Sequence, residues 1–275
     1  NTYVGQNAGM NNVTGVSNTF IGQNTGTANT ASNNTFIGQN AGNANTSATE
    51  NTFIGQDAGR VNTTGAKNTF VGGKSGASNT LGQLNVFVGD SSGVTNTTAS
   101  SNTFVGSLAG KSNTTGSSNT FLGSLAGRLN TTAAFNTFLG SGAGSTNSTG
   151  NSNTFVGQNA GLVNSTGSKN TFIGQQSGNA NNTGVNNVFV GEDAALSNTS
   201  GSFNVVIGQN AAASNSTGNH NTLVGFNARV STSALTNATA IGDSAMVSAN
   251  NSVILGNNAS VGIGTTSPEP SAKAE

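Results

Sequence analysis

The sequence predicts an all-β chain, a parallel β-solenoid of about sixteen coils that bury their apolar sides only by stacking on their neighbours. Three observations carry that prediction: a phrase restarting at a fixed short interval, an almost charge-free composition, and a three-residue strand signature inside each phrase. The phrase is Asn18-Thr19-Phe20-Ile21-Gly22, returning as Asn51 to Gly55, Asn68 to Gly72 and on to Asn221 to Gly225. From Gly5 to Gly242 its closing glycines recur every 17 residues, with one interval of 16, Gly22 to Gly38. That period is too short for a helix pair or a propeller blade and suits one solenoid coil.

Within a coil such as 153–169, Thr154, Phe155 and Val156 are β-branched or aromatic and bounded by Asn and Gly, which marks a short strand. Gly157 permits a backbone bend there. Ala160, with Ala, Ser or Thr in the equivalent places, suits a narrow return side, and Asn164-Ser165-Thr166-Gly167 carries turn chemistry that closes the coil.

Composition explains the absence of an ordinary globule. Of 275 residues only 6% are charged, the net charge is zero and cysteine is absent. Coils stack at about 4.8 Å, so an ionised residue repeated at one coil position would face its own copies. Asn and Thr form uncharged ladders instead. Nothing attracts nucleic acid by bulk charge, no thiolate site is available, and no 18-residue apolar run signals a membrane-spanning helix. The chain opens mid-phrase at Asn1, as expected of a processed product or a fragment.

Strand alternation predicts partners. The third phrase position forms an aromatic row, Phe20, Phe36, Phe53, Phe70, Phe87, Phe104, Phe121, Phe138, Phe155, Phe172 and Phe189. The fourth forms an aliphatic row, Ile21, Ile37, Ile54, Val71, Val88, Val105, Leu122, Leu139, Val156, Ile173 and Val190. Successive strand residues point to opposite faces, so one row fills the coil and the other points out. Soluble monomers rarely leave so large an apolar patch bare, and the expected cover is other copies of the chain. Which row faces inward stays open at this level.

Ala238 to Gly242 replaces Phe by Ala, and the next phrase, Ser252-Val253-Ile254-Leu255-Gly256, follows after 14 residues. The boundaries expected are 17-residue repeats over 1–242, a 14-residue-type coil and array end over 243–264, and a linker over 265–275, where Pro268 and Pro270 end sheet structure ahead of a further C-terminal domain. Ala-Thr-Ala-Ile-Gly-Asp-Ser-Ala (238–245) and Ser-Val-Ile-Leu-Gly-Asn-Asn-Ala (252–259) resemble the head repeats of trimeric autotransporter adhesins. The segment from Val261 to Pro268 is similar to junctions preceding tail-fibre-type C-terminal domains. The resemblance implies a left-handed β-roll, a homotrimeric rod on a bacterial surface or phage-like particle, and binding to a surface receptor or glycan. Phe in place of the usual Ala at the third position departs from that family's pattern.

Chemistry-bearing residues are sparse. His220 is the only histidine, so a histidine metal cluster or catalytic triad is unavailable. Glu192-Asp193 is an adjacent acidic pair in a loop, without the cleft a general acid and base need. Asp57, Asp90 and Asp243 fall in the same loop and form no calcium pattern, while Gly72-Gly73-Lys74-Ser75 lacks the leading glycine of a phosphate-binding loop. Asn-x-Ser/Thr triplets such as Asn62-Thr63-Thr64 match glycosylation acceptors but recur with the coil period, as turns and ladders do. No catalytic, cofactor or metal site is expected. The reading is a structural or adhesive extracellular fibre segment; the alternatives are an ice-binding solenoid using Thr rows and a tail-fibre shaft binding surface glycans. Against ice binding, the second-position Thr shares a face with an aliphatic residue expected to be buried.

Overall fold

The computed structural model describes residues 1–259, all β and turn without a helix among them; the expected array end near Gly264 and the linker over 265–275 lie outside the described residues. The chain forms two compact units, Asn1–Ser152 and Asn153–Glu275. In the first, the phrases become β1 (Thr2–Val4), β2 (Thr19–Ile21), β3 (Thr35–Ile37), β4 (Thr52–Ile54), β5 (Thr69–Val71), β6 (Val86–Val88), β7 (Thr103–Val105), β8 (Thr120–Leu122) and β9 (Thr137–Leu139). Each pairs in parallel with the next in sequence, position on position, as in Phe20↔Phe36 and Phe104↔Phe121.

The second unit repeats this with β10 (Thr154–Val156), β11 (Thr171–Ile173), β12 (Val188–Val190), β13 (Val205–Ile207) and β14 (Thr222–Val224). Its last turns interleave β15 (Arg229–Val230), β16 (Thr239–Ile241), β17 (Met246–Val247) and β18 (Val253–Leu255). The phrase strands continue as β14–β16–β18, while β15 and β17 pair separately on the return side.

Numbering each coil from the phrase asparagine, position three is the core. From Phe20 to Phe189 every phrase phenylalanine is 0% exposed. In the first unit rings from Tyr3 to Phe138 stack at centroid spacings of 4.7–5.1 Å and interplanar angles of 6–8°. Such offset aromatic contacts add about 0.5–1.5 kcal/mol each beyond area burial. Two glycines make the column possible. At position five, Gly106 has φ 136°, and a Cβ there would lie 2.5 Å from the Gly123 carbonyl oxygen of the next coil. At position nine, Gly110 has φ 57°, and a Cβ would lie 2.4 Å from the Phe104 ring.

Val206 replaces Phe with the small Ala212 still at position nine, but where Leu223 and Ala240 replace Phe the return side changes to match, and Val230 and Val247 are buried from the other side of the coil. Position nine then holds Arg229 or Met246, each the first residue of a strand, since no ring needs clearing.

Asparagines placed in turns by the sequence reading are part of the interior. At position one, the Asn85 and Asn102 backbone amides donate to the preceding asparagine's Oδ1 at 2.9 and 3.0 Å. At position twelve, Asn113 Nδ2 donates to Asn96 Oδ1 at 2.8 Å and to Gly116 O at 2.9 Å, and all these asparagines are 0% exposed. Burial of so many amides is tolerated because most are bonded along the stack, Asn51 Nδ2, Asn198 Oδ1 and Asn215 Oδ1 being buried atoms without a partner among the described residues. At the start of the ladder Asn12 Nδ2 donates instead to the Tyr3 hydroxyl, 2.6 Å away. The 16-residue coil is short by one residue in the turn after this ladder: Asn29 Nδ2 reaches Ala31 O, two residues on, where Asn62 reaches Gly65 O, three residues on.

Candidate functional site

With position three turned inward, positions two and four present one outer face in each unit. The third-position row therefore lies inside the coil and the fourth-position row outside. Ile21, Ile54, Leu122, Leu139 and Ile173 are exposed, and Ile37, Val71, Val88, Val105, Val156 and Val190 are half-buried. This corrects one expectation: within the chain the aliphatic residue beside the second-position Thr is not buried, because the coil has room for one row of large side chains and the rings fill it.

The face is chemically uniform. In the first unit position two is Thr in every strand except β6, where it is Val86. No charged side chain among the described residues occupies positions one to five. The charges gather elsewhere: Lys111 and Arg128 at position ten, Asp90 and Glu192 at six, Lys74 and Asp193 at seven, Glu50 and Lys169 at seventeen. Hydroxyls behave differently at position thirteen of the coil. There Thr63, Thr80, Thr97 and Thr114 each donate to the next coil's carbonyl at 3.0–3.1 Å, which uses their hydrogens internally.

The residues weighed for chemistry are not brought together. His220 is exposed and stacks on Phe203, centroids 4.9 Å apart and planes 2° from parallel. Glu192 accepts a hydrogen bond from Gln209 Nε2 at 3.1 Å in a solvent-facing row. Ser75, beside Lys74, is buried and donates to Phe87 O at 3.0 Å, which is a coil contact and not a phosphate cradle. Asn62, of the glycosylation-like triplet, is 0% exposed and bonded to Asn45 and Gly65, so the folded chain offers no acceptor there. Among the described residues no cluster of three or more His, Cys, Asp or Glu could hold a metal ion. No helix among them is long and apolar enough to cross a membrane.

Sequence reasoning missed the depth of the asparagine ladders. The signal available was Asn at positions one and twelve in nearly every coil, while positions ten, sixteen and seventeen vary freely. Solvent-facing turns tolerate variation; buried amides that must bond to their own copies do not. No protein-family model matches this chain, and no curated protein matches it.

Proposed function

We propose that this chain is a non-enzymatic structural and adhesive segment of an extracellular, cell-surface fibre, and that copies assemble side by side as a homotrimer through the face made by positions two and four. The observation carrying this reading is that face: in register, half aliphatic and free of charge in every phrase. Three residues wide and nine strands tall, the first unit's face projects roughly 400 Å², and the second unit's seven phrase strands add roughly 300 Å². The first unit's face alone supplies about half of the ~800 Å² per partner of a standard stable interface. A trimer built this way resembles an adhesin head. Its outward Asn, Thr and Ser rows supply repeated weak contacts, where avidity can exceed the affinity of any single site.

Sedimentation equilibrium at micromolar concentration tests the assembly. The expected result is a trimer that Leu122→Lys dissociates without altering the circular dichroism of the chain; a wild-type monomer overturns the reading. The in-register second-position Thr row, half-buried or exposed on the outer face, favours a second reading, ice binding. A monomer that halts ice recrystallisation would establish that alternative, whereas a trimer binding surface glycans would point to a tail-fibre shaft.

A further inference from the structure

Phe135 and Leu125 of the first unit place large apolar side chains on left-handed backbone at the coil edges, as Leu84 and Leu108 also do. Phe135, at position seventeen, has φ 61° and is 67% exposed; Leu125, at position seven, has φ 62° and is half-exposed. Left-handed backbone suits Asn, which stands at these positions in Asn33 and Asn24, and it crowds the Cβ of a bulky residue. The fold sets this backbone at both positions in every coil of the first unit, and most coils fill them with Asn, Ser or a charged residue, so a large apolar side chain there is not something the turn itself requires. Phe203 shares the conformation but stacks on His220 of its own chain. Among the described residues neither Phe135 nor Leu125 has such a ring partner.

Their placement supplies the missing contact. Position seventeen precedes the phrase strand and position seven follows it, so they flank the uncharged face on opposite edges. A rotation axis parallel to the stack sets one copy's position-seventeen edge against the next copy's position-seven edge, a head-to-tail contact that closes into a ring. Phe135 directly precedes Asn136, which opens the coil of β9, and Leu125 lies at position seven of the coil of β8. The two therefore differ in height by less than one coil step of about 4.8 Å. The same chain thus carries both halves of an apolar contact at one level. They meet only if the copies run parallel and in register.

We propose that Phe135 of one copy packs against Leu125 of the neighbouring copy, with Leu108 one coil below extending the pocket, and that this contact sets the parallel, in-register alignment of the assembly; it rests on the self-assembly reading above. The test uses the full chain. Leu125→Asn and Phe135→Asn should each raise the trimer dissociation constant at least tenfold. In dilute, dissociated protein the same changes should leave the unfolding midpoint equal or higher, because Asn relieves the backbone. The chain has no cysteine, so oxidising a Leu125→Cys/Phe135→Cys double variant should give covalent trimers on a denaturing gel, and neither single variant should. A wild-type trimer unaffected by either Asn substitution, and not cross-linked through the cysteine pair, overturns the alignment contact while leaving self-assembly intact. A wild-type monomer overturns both.

Discussion

Replacing Asn113 by Ala tests whether the buried amide ladder holds the coils together. Asn113 is 0% exposed and donates to Asn96 Oδ1 at 2.8 Å and Gly116 O at 2.9 Å, and it accepts from Asn130 Nδ2 at 2.7 Å. Three neutral hydrogen bonds at a net ~1 kcal/mol each amount to about 3 kcal/mol. The partners left behind differ. Gly116 O still accepts from Asn102 Nδ2, and Asn130 Nδ2 still donates to Ala133 O. Asn96 Oδ1 loses the amide that bonds it, and an orphaned buried acceptor adds about 1–3 kcal/mol. The expected loss is therefore about 4–6 kcal/mol. Thr114→Ala removes one bond, Oγ1 to Thr131 O at 3.0 Å, on a carbonyl that also accepts the Thr114 amide at 2.9 Å. It should cost only about 0.5–1.5 kcal/mol. Guanidinium unfolding followed by far-ultraviolet circular dichroism compares the two. Hydrogen exchange in the coils on either side of residue 113 shows whether a stacked array opens locally instead. If Asn113→Ala proves no more destabilising than Thr114→Ala, the ladder is not a principal source of stability and the reasoning fails.

Gly106→Ala should destabilise by at least about 3 kcal/mol, since φ of 136° is strained for any Cβ and the next coil's carbonyl lies 2.5 Å from it. Gly73→Ala, with negative φ and only the Asp90 carboxylate near at 3.1 Å, should change stability by under about 1 kcal/mol; urea midpoints separate them. Burial raises the Tyr3 phenol above its ordinary value of 10.0, while hydrogen bonds with Asn12 and Asn18 oppose that shift. A raised folded value means its contribution is complete below the unfolded value and is lost as pH climbs toward the folded one. Stability should therefore fall in alkali, Tyr3→Phe should lessen that fall, and absorbance of this single tyrosine reads its ionisation directly.

Much of this architecture was legible in the chain because it is a repetition. A 17-residue beat carrying a three-residue strand leaves parallel stacking as the means of burying apolar groups, and the alternation of Phe155 and Val156 already separated two faces. The 14-residue phrase at Ser252 likewise announced a change of coil. What stayed hidden were matters of depth. Asn164 resembles any turn asparagine until the coil closes around it, because turn and ladder chemistry use the same amide. The exchange of Phe for Leu223 with Val230 is equally invisible along the sequence, since the compensating residue approaches from the opposite side of the coil.

The sequence by itself determined the stack, its register and the existence of two apolar rows. Only the tertiary structure decided which row is inside. A period of two is symmetric: exchanging the faces leaves the pattern intact. The symmetry is broken by the return side, where Gly at position nine leaves space against the ring of position three. The phenylalanines fill that space, with Ala195 in the glycine's place opposite Phe189, and the uncharged aliphatic row turns outward to the face through which we propose that the chain meets its own copies.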